Sequence, residues 1–514
     1  MIDLQGTSFI GHARSTGSEA WTSAVNPATG EKLDPAYLAA TDEEVEKAVS
    51  LAAAAFPSYA ALSGAERAVF LRAIADKIEA SVEDIVARGP LETGLPEPRL
   101  RGETARTCGQ LRMFAGLIED GSWVDARIDR AQPDRQPLPK PDIRAMLVPL
   151  GPVAVFCASN FPLAFSVAGG DTASALAAGC PVVAIGHVGH PGLAEIVGSA
   201  IVAAARETGM PEGVFSLLFG GGRSTGRKVV AHPAIKAVGF TGSRQGGTSL
   251  MELAAARPEP IPVYAEMSSV NPFVILPGAL AKGEEALAEA YFGSLTLGVG
   301  QFCTNPGLVF LPTDAGEAFL AKLSEMIGTA GSATMLTAGI ASAYGEACEH
   351  FAGHPGVKTL ARGEGASAPA LFEVSATDFL GDEALQAEAF GPAALVVRGS
   401  LPEITRAIAG LEGQLTATLH ATEDELAAQP ELVAALRSRC GRLLFGGFPT
   451  GVEVCASMVH GGPYPSTSDG RSTSVGTLAI TRYCRPAAWQ GFPDFALPPE
   501  LREANPLGIR RIEG

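Results

Sequence analysis

Between Ala145 and Ala265 the chain alternates short apolar runs with amphipathic stretches. Val153–Ala158, Pro181–Ile185, Val214–Leu218, Ile235–Phe240 and Pro262–Ala265 have the length and composition of strands buried on both faces. Helical stretches near 166–178, 191–208, 223–231 and 244–256 separate them. Strands alternating with helices of this length predict βαβ units and a doubly wound parallel sheet. A second alternating block begins near Asn271, with strands predicted around 307–311, 393–397, 415–419 and 442–445 and helices near 314–328, 401–410 and 424–437. The region before both blocks reads as helical. Thr41-Asp42-Glu43-Glu44 and Ser63-Gly64-Ala65-Glu66 have the spacing of capping boxes, in which the hydroxyl and the Glu each satisfy an orphan amide. The first opens an Ala-rich helix to about Phe56, and the second a helix with apolar positions Val69, Leu71, Ile74, Ile78 and Val82. A third helix, predicted from about Leu100 to Leu117, carries Arg101, Arg106 and Arg112. Residues 1–40 read as strands and turns, with Asn26–Gly30 a turn.

In open parallel sheets, ligands bind beyond the carboxyl ends of the strands. The groups expected there are Ser159-Asn160, Gly186-His187, Gly220–Gly222, Thr241-Gly242-Ser243 and Glu266. Most are small or polar, as a phosphate-bearing cofactor requires. Thr241-Gly242-Ser243 opens a helix, with Gly247 five residues after Gly242, so amides at a helix N-terminus and a Ser hydroxyl are available to pyrophosphate oxygens. In the second block, Gly300-Gln301-Phe302-Cys303-Thr304-Asn305-Pro306 sets one cysteine between a permissive glycine and a proline stop. A turn of that kind presents a thiol and its own amide to the same point, which suits a nucleophile.

At 514 residues the chain exceeds what one core accommodates, and two or three domains are expected. A net charge of −17 argues against a nucleic-acid partner. The 8 cysteines are scattered without paired spacing or histidine clusters, so neither a disulfide framework nor a metal site is expected, and a cytoplasmic setting follows. No signal peptide is visible, and the long apolar stretches are cut by Gly and Pro, so no membrane span is expected. The tail from Ser474 is rich in proline connections and is expected to dock on a neighbouring domain or subunit.

SNFP at 159–162, GFTGS at 239–243, EMSSVNP at 266–272, GQFCTNP at 300–306 and EAFGP at 388–392 occur in that order, and together they resemble the aldehyde dehydrogenase superfamily. Within it, the stretches ETGLPEPRLRGETARTCGQLRMFAG and HGGPYPSTSDGRSTSVGT are similar to the α-ketoglutaric semialdehyde dehydrogenase branch, close to NADP-dependent fatty aldehyde dehydrogenases. The resemblance implies an α/β fold of two Rossmann-type doubly wound domains plus a small oligomerisation element. Residues 1–128 and 151–268 would bind nucleotide, 269–473 would carry the thiol, and 129–150 with 474–514 would bridge subunits of a homodimer or homotetramer. It implies Cys303 as nucleophile, Asn160 with the Cys303 amide as oxyanion donors, and Glu266 as the base that activates water. Thr241, Gly242, Ser243 and Gly247 would serve the pyrophosphate, Glu388 the nicotinamide ribose, and Phe390 the nicotinamide face.

One departure concerns the coenzyme. Ile185 stands where the family usually has a ribose-binding lysine, and Val188 is apolar as well. No carboxylate is there to repel a 2′-phosphate, which leaves NADP possible; the branch resemblance implies NADP, with NAD possible and nucleotide binding weaker than in relatives. His187, Arg223 and Arg227 are the nearby candidates to supply charge. For the substrate, Phe161, Phe302 and Phe448 are candidates to line an aldehyde tunnel, and Arg106 to pair with the distal carboxylate of a semialdehyde. The competing reading of Arg106 is a surface residue paired with Glu103. Medium- or long-chain aliphatic aldehydes, and a non-catalytic scaffold with impaired cofactor binding, stay open. A CoA-acylating enzyme would not need Glu266, and a cysteine hydrolase would need a histidine partner that no local motif supplies.

Overall fold

The computed structural model describes residues 3–17 and 19–514. Its first sheet runs Val263–Glu266, Ala237–Thr241, Val153–Phe156, Val182–Ile185, Phe215–Leu218, and then the short pair Phe9–Ile10 and Ala13–Arg14. The first five are parallel, and Phe9 closes the edge antiparallel to Leu217. Helices Gly64–Ala80, Glu97–Asp120, Gly170–Ala178 and Pro191–Glu207 cover one face. Asp42–Ala60 and Arg244–Ala255 cover the other. Burial on both sides explains why these strands read as unbroken apolar runs.

The second sheet has the order Val357–Arg362, Ala370–Ser375, Ala393–Gly399, Leu308–Pro312, Phe273–Ile275, Gln414–His420, Cys440–Phe445, parallel except at its first strand. A four-stranded sheet of Cys484–Gln490, Ile143–Pro149, Arg127–Asp129 and Ile512–Glu513 stands apart from both. Earlier in the tail, the Tyr483 hydroxyl donates to Asp171 at 2.7 Å, on the helix Gly170–Ala178. That stretch therefore packs with the first sheet's helices, and only the chain from Cys484 onward joins the four-stranded sheet.

Both predicted capping boxes are present at Thr41 and Ser63. The first helix continues to Ala60, through Pro57, and Val69 is 56% exposed rather than on the packed face. Val82 begins a separate helix, Val82–Thr93. The segment expected as one helix over 424–437 is two, Glu423–Ala428 and Pro430–Arg439. Pro430 forces the break because it denies Gln429 the helical region, and Gln429 sits at φ −122°, ψ 54°. Strand Phe273–Ile275, helices Glu284–Thr296 and Ala338–Gly353, and the hairpin of Val357–Arg362 with Ala370–Ser375 complete the second unit.

The loop after Val153–Phe156, which carries Asn160, is anchored from the helix Glu97–Asp120. Buried Glu103 accepts from the amides of Leu163 and Ala164, both at 2.9 Å, and pairs with Arg99 at 3.3 Å. Burial raises its pKa, while Arg99 and the two amides oppose the rise. Glu103→Ala leaves two amides and a cation short of their partner, and is expected to cost about 3–5 kcal/mol. Calorimetry should show a clearly lowered thermal midpoint for Glu103→Ala and almost no change for Glu97→Ala, whose carboxylate meets only the exposed Arg101.

Candidate active site

The turn that carries Cys303 is built by exclusion and by amides. Gly300 sits at φ 66°, and a Cβ there would lie 2.3 Å from the Gly391 carbonyl carbon, so only glycine lets the two backbones meet. Val299 just before it also has a positive φ of 59°, a strained value for a β-branched residue. Three side-chain amides then fix the loop. The fully buried Asn271 donates to the carbonyls of Cys303 and Asn305, each at 2.9 Å. Asn305 donates to Gly391 O at 2.9 Å, and the Gln301 side-chain oxygen accepts from Leu336 N at 3.0 Å.

Cys303 is left half-buried, facing two groups from distant segments. His460 Nε2 lies 3.5 Å from Cys303 Sγ and 2.9 Å from Glu266 Oε1. Ser474 donates to Glu266 Oε2 at 2.7 Å. The stretch 460–474 reaches Glu266 because it runs beside the strand Val263–Glu266: Met267 N donates to Ser466 O at 2.8 Å and Ser468 N to Ala265 O at 2.9 Å. Burial pushes the Glu266 carboxyl up, but the imidazole of His460 and the Ser474 hydroxyl outweigh it and hold the pKa at about 2. Burial and the Glu266 charge raise the Cys303 thiol well above its ordinary value, so at rest the sulfur is protonated.

Two cavities meet at this sulfur. One, of about 360 Å³, is walled by Phe161, Phe302, Arg99 and Arg106 and ends at Cys303 and His460. Phe161 and Phe302 pack edge to face at 5.3 Å, and the Arg99 guanidinium lies 4.4 Å from the Phe161 ring centre. Burial lowers the Arg106 pKa, and its guanidinium donates to Val452 O. The other, of about 270 Å³, lies at the carboxyl ends of the first sheet and is lined by Asn160, Thr241, Ser243, Glu266, Glu388 and Phe390. Asn160 Nδ2 donates to Gln301 O at 3.0 Å, which holds its amide beside the Cys303 turn. Glu388 is half-buried, and burial raises its pKa to about 7. Beyond Ser243 a further opening of about 590 Å³ carries Arg223 and Arg227.

Residues 13–409 match the aldehyde dehydrogenase family. The chain is 52% identical to α-ketoglutaric semialdehyde dehydrogenase 2 of Azospirillum brasilense, with 99% of each chain covered. It is 43% identical to α-ketoglutaric semialdehyde dehydrogenase of Acinetobacter baylyi, over 100% of this chain and 98% of that one. Lactaldehyde dehydrogenase from Escherichia coli is similar in fold, with a TM-score of 0.81 at 22% identity over 95% of this chain and 99% of that one. The chain belongs to the aldehyde dehydrogenase family. It is an enzyme that oxidises aldehydes, and its coenzyme is a nicotinamide dinucleotide, NAD or NADP.

With the dehydrogenase in view, most residues singled out in the sequence converge, Arg106 among them, and three do not behave as expected. Phe448 stacks on Phe273 at 5.6 Å in the second sheet's packing, away from the cavity. Gly247 faces no phosphate cradle: a Cβ there would lie 2.6 Å from Met267 Sδ, so its smallness serves helix-on-strand packing. Gly246 lines the opening instead, and its amide donates to Ser243 Oγ at 3.2 Å. His187 lines neither cleft, stacks on His190 at 5.2 Å and accepts from Gly189 N at 3.0 Å. Burial lowers its pKa to about 3, so it is neutral and supplies no charge to a phosphate. Arg106 is not paired with Glu103, which bonds Arg99 instead.

Sequence reasoning missed His460, Ser474 and Arg99. His460 opens the stretch 460–477 that carries the branch resemblance, and that was its only signal. Its partners lie 157 and 194 residues away in sequence, so no local spacing reveals them. The same non-locality hid a donor cluster, because Glu266, Cys303 and His460 place their ligating atoms within 4.8 Å of one another.

The raised thiol pKa has a direct readout. Below that pKa the sulfur is mostly protonated, so Cys303 alkylation by iodoacetamide should be slow at pH 8 and still accelerate above pH 9. Glu266→Gln removes the nearest negative charge, lowers the thiol pKa and should speed alkylation at pH 8. Slower alkylation in that variant would contradict this electrostatic account.

Proposed function

We propose that this dehydrogenase oxidises α-ketoglutaric semialdehyde to the dicarboxylate, with NADP preferred as coenzyme and Cys303 as nucleophile. The observation that carries the reading is Arg106, a half-buried guanidinium in the wall of the cavity that Phe161 and Phe302 share and that ends at Cys303. A cation held there has a use if the substrate bears an anionic end remote from its aldehyde. Arg99 adds a second cation to the same wall, and the names of the 52% and 43% identical relatives agree.

The chemistry follows from the resting protonation. The thiol proton passes to the Glu266–His460 pair as sulfur adds to the carbonyl carbon. The oxygen becomes an oxyanion, to which Asn160 Nδ2 and the Cys303 amide donate; losing one such donor typically costs about 3 kcal/mol. The nicotinamide, when bound, supplies a hydride acceptor. The residues around the second cavity fit a dinucleotide: the helix Arg244–Ala255 turns its N-terminus to the opening, and Glu388 offers an acceptor to ribose hydroxyls. Phe390 offers an apolar face, and Arg223 and Arg227 offer charge where Ile185 and His187 supply none. Hydrolysis of the thioester needs a base for water. With a pKa of about 2, Glu266 alone is a weak one, so the base is Glu266 together with His460, which bonds its Oε1, and Ser474 fixes the carboxylate.

The same reading assigns residues 1–128 and 151–268 to nucleotide binding, 269–473 to the thiol unit, and 129–150 with 474–514 to bridging. It takes the enzyme to be a cytoplasmic homodimer or homotetramer. Among the described residues, no helix is long and apolar enough to cross a membrane.

An initial-rate panel of aldehydes against both coenzymes tests the assignment. Arg106→Ala should raise the KM for α-ketoglutaric semialdehyde by about tenfold or more, equivalent to at least about 1.4 kcal/mol, and leave hexanal nearly unaffected. Equal effects on both aldehydes would remove the carboxylate reading, and equal KM values for NAD and NADP would remove the NADP preference.

A further inference from the structure

We propose that Glu266, Cys303 and His460 form a zinc-binding site through which the free metal ion reversibly inhibits the resting enzyme. The three donors differ in chemistry: a thiolate, an imidazole nitrogen and one carboxylate oxygen. That set suits Zn²⁺ or Co²⁺, and it offers too few oxygens for Mg²⁺ or Ca²⁺.

The spacing matches as well. Zinc bonds of about 2.3 Å to sulfur and 2.0–2.1 Å to nitrogen at a tetrahedral angle put those two atoms about 3.5 Å apart. Cys303 Sγ and His460 Nε2 are 3.5 Å apart. His460 Nε2 and Glu266 Oε1, at 2.9 Å, need open by only a few tenths of an ångström. All three ligating atoms lie within 4.8 Å of one another.

Support around the carboxylate and the sulfur is already in place. Ser474 donates to Glu266 Oε2 at 2.7 Å, which leaves Oε1 directed at the cluster, as partners of metal-binding carboxylates do. Asn271 and Asn305 hold the Cys303 turn, so the sulfur does not have to be recruited from a mobile segment. His460 and Glu266 are 1% exposed, while Cys303 opens on both cavities. Three protein ligands with an open fourth position toward water is the pattern of accessible zinc sites. The divalent charge compensates two anions that repel each other, Glu266 and the ionised sulfur.

As the Zn–S bond forms, the thiol proton leaves to solvent. The ion then occupies the sulfur, the carboxylate and the imidazole together. Aldehyde addition is blocked, and a chelator restores it.

Binding is read without turnover, so the outcome is independent of which aldehyde the enzyme oxidises. Metal-free full-length enzyme is titrated with Co²⁺ alone and followed by absorbance. The expected result is one ion per chain, a thiolate-to-cobalt charge-transfer band, and the strong visible bands of a four-coordinate ion, all bleached by one equivalent of Zn²⁺. Cys303→Ser should abolish the charge-transfer band. Cys455→Ser, which removes the exposed cysteine, should keep it. His460→Ala should weaken binding by more than the roughly 10–100-fold typical of losing a supporting partner. Circular dichroism confirms that each variant is folded. A weak six-coordinate spectrum, or an unchanged spectrum in Cys303→Ser, would overturn the proposal.

Discussion

A carboxylate that is almost wholly sealed from water normally takes up a proton, and Glu266 does not. It stays ionised because an imidazole nitrogen bonds one of its oxygens at 2.9 Å and a serine hydroxyl bonds the other at 2.7 Å. That pairing sets the chemistry of its neighbours. Burial and the adjacent charge together hold the thiol beside it neutral. The length of chain from His460 to Ser474 has to run along the strand Val263–Glu266 for both partners to reach the same carboxylate. Asn271, Asn305 and the close backbone approach at Gly300 then bring the sulfur to the pair from the second sheet.

The two cavities give this cluster its context. The aromatic one ends at the sulfur, and its wall carries two arginines, Arg99 and Arg106. The other lies at the strand ends of the first sheet, where the helix N-terminus at Ser243 and the Glu388 carboxylate face the same space. Among the described residues, Cys303 is the one that lines both cavities. The loss of the usual lysine at Ile185 is absorbed into the apolar core, where that side chain is 3% exposed. Arg223 and Arg227 line the opening beyond Ser243.

Much of the fold was legible because parallel strands covered on both sides leave an uninterrupted apolar signature. All five predicted strands of the first sheet are present, within a residue or two of their expected ends. Phe273–Ile275 escaped because three residues after a proline carry no periodicity, and Ala338–Gly353 because its Ala- and Gly-rich sequence has a shallow apolar stripe. The break at Pro430 was readable in principle from the proline alone. At the site, Asn160, Glu266, Cys303, Glu388 and Phe390 were legible through short local motifs, and the structure gathers them around one cleft. Phe448 was misjudged because an aromatic in the unit that carries the thiol can as easily stack inside the sheet as line a tunnel. Gly247 was misjudged because small size serves close packing as well as phosphate approach. His460 and Arg99 were invisible for a different reason: their roles depend on contacts between remote segments, which spacing does not encode.

The most direct test is to trap the covalent intermediate. Glu266→Gln enzyme is mixed with α-ketoglutaric semialdehyde and NADP, quenched in acid and analysed by mass spectrometry of its peptides. The account predicts an acyl adduct on the Cys303 peptide that persists in the variant and turns over in the unaltered enzyme. An unmodified Cys303 peptide from a folded variant that still reduces one equivalent of NADP would contradict it.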